Sequence, residues 1–246
     1  MIQIKNLQKK FGQKEILKGV DLDIKTGHTT VIFGLSGSGK STIIKHIVGL
    51  LKPDGGSILI DNKDVTKLNE LSLLDLRKRI GFLFQSGALF DSMNVFENIA
   101  FPLREHKKMS ESEIKKEVYA ALDMVALEPE RVSKLYPDEL SGGMRKRAGL
   151  ARTIILKPEI MLYDEPTTGL DPIISDQISQ MIIKLQKELK ITSILISHDI
   201  KEAFKCADYA AMLYDGKIIE ANDSESFKNT NNEIVRCFLE GREIKI

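Results

Sequence analysis

A β-branched apolar run that empties directly into a glycine-rich turn, "TTVIFGLSGSGKS", is the feature that most restricts how this chain can fold. "TTVIFG" reads as a buried strand. Gly34 to Ser41 fits G-x-x-x-x-G-K-S, and a helix is expected from about Lys40 to Leu50. In that order, strand, turn and helix form a cradle for phosphate groups. Gly37 and Gly39 let backbone amides turn inward on phosphate oxygens. Lys40 can reach the outer phosphates, the Ser41 hydroxyl can ligate Mg²⁺, and the helix start adds a favourable dipole. The spacing therefore implies that a nucleoside triphosphate binds here.

The rest of the chain is organised around that turn. "IQIKN" and "VDLDI" alternate apolar and polar residues as half-buried strands do. After the first helix, "PDGG" and "DN" mark turns around the strand "SILI"; Leu73 to Arg79 reads as helix and "IGFLF" as a buried strand. From about Ala88 to Leu156 the pattern is helical. There, Ser110 and Glu113 form a capping box, followed by Ile114, Val118, Ala121, Leu122 and Val125 on one face. "IMLYDE" then returns as strand, and Ile174, Ile178, Met181, Leu185 and Leu189 form the stripe of a long helix. "SILIS" is a further strand, and "YAAMLYDGKIIEA" reads as a hairpin. Strands separated by helices imply an α/β fold with a mostly parallel sheet, and the helical block reads as an inserted subdomain. The tail from Asn231 to Ile246 is expected to hold one short helix, "NEIVRCFLEG", that protrudes from the core.

Composition narrows the setting. The 246 residues, 29% of them charged and 42% hydrophobic, suit a soluble globular chain. A net charge of +1 supplies no basic field for nucleic acid. No apolar run reaches the about 18 residues of a membrane span, and "MIQIKNLQKKFG" lacks the apolar core of a signal peptide. Two cysteines, Cys206 and Cys237, read as reduced thiols of a cytoplasmic protein. Any work at a membrane is expected to go through a partner.

Further candidate residues sit at strand ends. "IMLYDEP" puts Asp164 and Glu165 at the carboxyl end of a buried strand, where ligands of parallel α/β sheets bind. Asp164 is suited to hold Mg²⁺ and Glu165 to orient or deprotonate the attacking water. His198 follows "SILIS" and could meet the γ-phosphate; a lone histidine is as readily structural. Gln85 follows "IGFLF", where the pattern alone favours an ordinary polar loop residue. For Phe11, in "KKFG", it favours a core aromatic. "LSGGMRKRAGLAR" is a second glycine turn at a helix start, with no lysine equivalent to Lys40. Two glycines in a first helical turn cost about 1 kcal/mol each relative to Ala, so a plain N-cap at Ser141 is a weak explanation. An anion-binding turn that closes the open face of a nucleotide held elsewhere explains it better.

Together, "GLSGSGKS", Gln85, "LSGGM", "IMLYDEP", "TGLD" and "SHD" resemble, in order and spacing, the ATPase domain of ABC transporters, from about Ile2 to Phe227. The resemblance implies a P-loop NTPase (RecA-like) core with an N-terminal antiparallel β part and an inserted helical subdomain at about 88–156. It also implies an ATPase domain over 1–227 and a short extension over 228–246. ATP and Mg²⁺ would be bound and ATP hydrolysed. Phe11 would stack on adenine, where many members carry Tyr. Gly34, Leu35, Ser36, Gly37, Ser38, Gly39, Lys40, Ser41 and Thr42 would form the phosphate loop. Ser41, Gln85 and Asp164 would serve the metal, and Gln85 would also link the site to a membrane subunit. Glu165 would be the base and His198 the γ-phosphate switch. Ser141, Gly142 and Gly143 would face the ATP of a second copy paired head-to-tail, with Asp171 at the seam.

A narrower resemblance, carried by "FLFQSGALFDSMNVFENIAFPLREH", "LSGGMRKRAGLAR" and "LYDEPTTGLDPI", is to the ATPases of phospholipid-transport systems built around MCE proteins. Met144 replaces the usual glutamine of the family's LSGGQ and is common in that branch. This implies an integral membrane permease, an MCE substrate-binding protein and a STAS-domain protein as partners. The chain would lie peripherally on the cytoplasmic face of the inner membrane. Three other readings stay open. Another transporter cargo, such as an amino acid or lipoprotein, is excluded by neither fold nor motif. Repair or translation ATPases of the family differ in carrying long coiled coils or two such domains. A small-molecule kinase would have no use for LSGG.

Overall fold

Strand β1 (Ile2–Phe11) turns back as β2 (Lys14–Ile24) and pairs on its other side with β4 (Gly55–Ile60), which carries β5 (Lys63–Asp64). These four strands form an antiparallel sheet in the order β2-β1-β4-β5. The computed structural model describes residues 2–244; Met1 and residues 245–246, included in the expected domain ranges and tail, lie outside the described residues.

The second sheet has six strands: β3 (Thr29–Phe33), β6 (Ile80–Leu83), β7 (Ile160–Asp164), β8 (Thr192–Ile196), β9 (Tyr209–Tyr214) and β10 (Lys217–Asp223). Their order is β10-β9-β3-β8-β7-β6. All pairings are parallel except β9–β10, which is the expected hairpin. The central strands are apolar on both faces, and the period of two divides their side chains between two cores. Val31 and Phe33 face one core and Ile32 the other; Met161 and Tyr163 are likewise opposed to Ile160 and Leu162. Helix α1 (Lys40–Ile47) lies in the second core, where Ile43, Ile44 and Ile47 are buried with residues of the antiparallel sheet. Each fully buried Ile or Leu contributes about 1.5–3 kcal/mol.

Helix α2 (Glu70–Lys78) leads into β6. Between β6 and β7 run α3 (Val95–His106), α4 (Glu111–Met124), α5 (Pro129–Val132) and α6 (Gly142–Ile154). The capping box opens α4 as expected: Glu113 accepts from Ser110 N–H at 2.7 Å and Ser110 Oγ caps Glu113 N–H at 3.4 Å. Helix α7 (Pro172–Leu189) follows β7, burying Ile178, Met181 and Leu185; α8 (Ile200–Cys206) follows β8.

The chain ends in α9 (Ser224–Lys228) and α10 (Glu233–Leu239). Contrary to the sequence expectation, α10 does not protrude. Val235 is fully buried, and the Phe238 ring sits 5.9 Å from that of Phe33. The apolar face of α10 thus covers a core aromatic of the central strand.

Candidate active site

Parallel strands deliver their carboxyl ends to one edge of the sheet, and the candidate residues gather there. β3 runs into the turn Gly34–Gly39, which opens α1. Gly39 is the helix N-cap at φ 104°, a left-handed conformation, and a Cβ there would come within 2.7 Å of Ile16 Cγ2. Only glycine fits this position. Lys40, 5% exposed, folds back and donates to the carbonyls of Gly34 and Leu35, at 2.8 Å each. Burial lowers its pKa, although Glu165 and Asp164 favour its charge. Among the described residues it forms no ion pair, and the buried Ser38 Oγ has no partner. A buried ammonium and an orphaned hydroxyl at the start of a helix fit a polyphosphate.

The metal residues are adjacent. Ser41 Oγ donates to Asp164 Oδ1 at 2.7 Å. Burial raises the Asp164 pKa despite that bond. One hydroxyl and one carboxylate suit Mg²⁺, which keeps waters and takes phosphate oxygens for its remaining positions. Among the described residues no cluster of three or more His, Cys, Asp or Glu could hold a metal alone. The donor set therefore fits an ion brought with a nucleotide.

Glu165 is the focus of the edge. Its Oε2 accepts from Thr168 Oγ1 at 3.0 Å and from Gln85 Nε2 at 3.4 Å, and lies 3.4 Å from His198 Nδ1. The ends of β6, β7 and β8 thus converge on one carboxylate oxygen. Its backbone is left-handed at φ 51°, a strain of about 1–3 kcal/mol of the kind that collects at functional sites. Gln85 and His198 are exposed side chains here, not parts of the core. Phe11 is 49% exposed at the β1–β2 hairpin, so the core reading of that residue fails; Ile16, on the facing strand, lies against Gly39.

Two features escaped the pattern. Thr168 bonds the Glu165 carboxylate from three residues downstream. Lys146, 5% exposed, donates to the Glu165 carbonyl at 3.3 Å. The signal for Lys146 was its place on the buried face of α6 between Gly143 and Leu150.

The second glycine turn is placed differently. Ser141 and Gly142 are exposed, and Ser141 Oγ caps the Met144 N–H at 3.3 Å, so the N-cap is real. Gly143 has its own reason: a Cβ would meet Ile174 Cγ2 at 2.7 Å, so any side chain here would force Ile174 of α7 to shift. Met144 packs against the core. Asp171 caps α7, accepting from the N–H groups of Ile173 and Ile174 at 3.0 Å each. Among the described residues no hydrogen bond or ion pair joins 141–143 to 34–42.

Residues 17–168 match the family described as ABC transporter. The chain belongs to the ABC transporter family. As a member it is an ATPase that uses ATP with Mg²⁺. It is 43% identical to the intermembrane phospholipid transport system ATP-binding protein MlaF of Haemophilus influenzae, over 98% of this chain and 90% of that one. It is also 43% identical to the "probable ribonucleotide transport ATP-binding protein mkl" of Mycobacterium leprae, over 99% of this chain and 70% of that one. Among solved structures it is similar to the dimeric ATP-binding cassette MJ0796 bound to ADP and Pi (TM-score 0.84, 35% identity, 92% and 100% coverage). No helix among the described residues is long and apolar enough to cross a membrane.

Proposed function

We propose that this ABC ATPase is the motor of a phospholipid transporter, working as a head-to-tail pair of chains with two ATP between them. The observation that carries the hydrolytic part is the convergence of Gln85, Thr168 and His198 on Glu165, one residue beyond the Asp164–Ser41 pair. Lys40 and the amides of residues 34–42 hold the triphosphate. Ser41, Asp164 and Gln85 would hold Mg²⁺, and the ion would supply charge neutralisation at the outer phosphates. Glu165 takes a proton from water as the water oxygen bonds to the γ-phosphorus. The bond to the bridging oxygen breaks and its electrons leave with ADP. His198 contacts the γ-phosphate, and the exposed Phe11 stacks on adenine. Such chemistry relies on positioning and charge more than on covalent participation.

The turn Ser141–Gly143, exposed at Ser141 and Gly142, then meets the nucleotide of the second copy, with Asp171 at the seam. In this reading 1–227 is the ATPase domain, 88–156 its helical subdomain and 228–246 an extension. The pair lies under a membrane permease on the cytoplasmic face of the inner membrane, with MCE and STAS-domain proteins completing the system. Phospholipid is favoured as cargo because MlaF is matched over nearly its whole length at the identity that mkl also shows.

The test of the motor is Glu165→Gln. It should lower turnover by about 10²–10⁴-fold and leave an ATP-bound dimer, visible by size-exclusion with ATP. A normal rate rules Glu165 out as the base. The test of the cargo is phospholipid transfer between vesicles by the permease complex that copurifies with the chain; ATP-driven nucleotide uptake instead would overturn the lipid reading.

A further inference from the structure

Lys146 lies in the second turn of α6, the helix that Ser141 opens. Its ammonium is buried with no carboxylate in salt-bridge contact among the described residues, a position that costs stability unless it serves something. What it touches is the Glu165 carbonyl, at 3.3 Å. The same carbonyl accepts from Thr168 N–H at 3.3 Å, while the Glu165 N–H donates to Ile196 O at 2.9 Å. The peptide groups around a left-handed residue are thus held from both sides. Rotation of either one would swing the Glu165 carboxylate away from Gln85 and Thr168. Burial lowers the Lys146 pKa, while the charges of Glu165 and Asp164 oppose that shift.

We propose that Lys146 is a positioning residue for Glu165: it pins the Glu165 carbonyl to α6 and so aims the carboxylate at the ATP bound by its own chain. The helix then serves two sites. Its first turn is offered to the neighbour's nucleotide, and its second turn holds the base of its own. Five residues of helix, about 7–8 Å, separate the two duties. The inference rests on the reading of Glu165 as the base and of the pair as head-to-tail.

That division of labour makes a positioning role separable from a packing role. A packing defect at 146 would disturb the start of α6 and be felt at the partner's ATP. Loss of the carbonyl contact would be felt at the same chain's ATP. Full-length chains with different tags can be purified as mixed pairs holding one intact Glu165. The reference pair is E165Q with the parental chain. In the first test pair, K146M is joined to E165Q, so the working base stands beside the altered lysine. In the second, a K146M/E165Q chain is joined to the parental one, so the working base keeps its lysine.

The first pair should lose turnover about tenfold against the reference, and the second should stay within about twofold, since misplacing a catalytic group by a fraction of an ångström has effects of this size. Lys146→Arg in place of Met should restore most of the first pair's rate. ATP affinity of the unmixed K146M chain should change less than about twofold, because its phosphate loop is untouched. Its thermal midpoint should not fall, since an apolar replacement relieves a buried charge. Lys146→Gln is read in the same way if the Met chain does not fold. A loss in the second pair, or none in the first, overturns the positioning role. If paired E165Q chains hydrolyse ATP at the parental rate, the assignment of the base fails and the positioning role with it; failure confined to the mixed pairs overturns the positioning alone.

Discussion

The turn that opens α1 and the turn that opens α6 are both built from glycine and serine, yet they are backed by different things. Gly34–Gly39 curls around its own lysine, with the Lys40 ammonium bonded to the carbonyls of Gly34 and Leu35 and Asp164 bonded to Ser41. Ser141–Gly143 has no cation in its loop, and its serine caps its own helix. The first turn holds a buried ammonium and an orphaned hydroxyl of its own. The second exposes Ser141 and Gly142, while Gly143 exists to let Ile174 approach. The contrast shows that a glycine can answer to backbone conformation in one turn, as Gly39 does at φ 104°, and to a helix crossing in another, and that only the neighbouring atoms tell which.

The largest effects should come from breaking each turn in turn. Lys40→Ala should weaken ATP binding by the single chain at least tenfold, the loss of a charge-assisted contact worth about 1.5–3 kcal/mol, measured by titration with a fluorescent ATP analogue. Ser141→Arg should leave that affinity unchanged and lower turnover by at least about 10²-fold, as expected when one pre-set donor group for the nucleotide is lost. If both substitutions weaken binding to the single chain equally, the two turns are the same kind of site and the contrast collapses.

Smaller effects sharpen the glycine assignments. Gly143→Ala should destabilise the fold by about 1–3 kcal/mol in denaturant unfolding, because Ile174 must move from 2.7 Å. Gly142→Ala meets only Leu170 Cδ2 at 3.4 Å, an ordinary contact, and should cost less than its neighbour. Equal costs would mean that the crossing with α7 does not explain the second glycine. Smallest of all, Phe11→Ala should leave the unfolding midpoint nearly unchanged, since the ring is 49% exposed, and should weaken ATP binding only several-fold.

Cys206 provides a check on every variant at either turn. Burial pushes its thiol up to about 12. Labelling by a thiol reagent at pH 8 should therefore wait for unfolding, read by peptide mapping. The raised value means that stability is intact below the ordinary value of 9.0 and is lost as pH climbs toward about 12. A turn variant that labels quickly at Cys206 has loosened the core, and its activity says nothing about the turn.

Much of the site was legible because its residues stand directly after apolar strands. Asp164, Glu165, Gln85 and His198 could each be placed at a strand end from local pattern. That Gln85 and His198 meet on one oxygen of Glu165 could not, since Gln85 and Glu165 are 80 residues apart and nothing local sets the strand order. The core reading of Phe11 failed for a related reason: an aromatic at the end of an alternating strand looks the same whether the next layer covers it or stops short. The tail failed because α10 is short and its apolar face has meaning only once Phe33 is known to lie beneath it.

The chain's own pattern determined the strand–turn–helix unit, the two-faced central strands, the capped helices and the chemical types available at the sheet edge. These depend on side-chain period and turn chemistry within about ten residues, which a sequence displays directly. Tertiary packing alone decided that Gly143 answers to Ile174, that α10 folds back on the core, and that the buried ammonium of Lys146 meets the backbone of Glu165. Each of these is a contact between separately formed elements. The energy that creates it comes from surfaces that exist only after those elements have assembled.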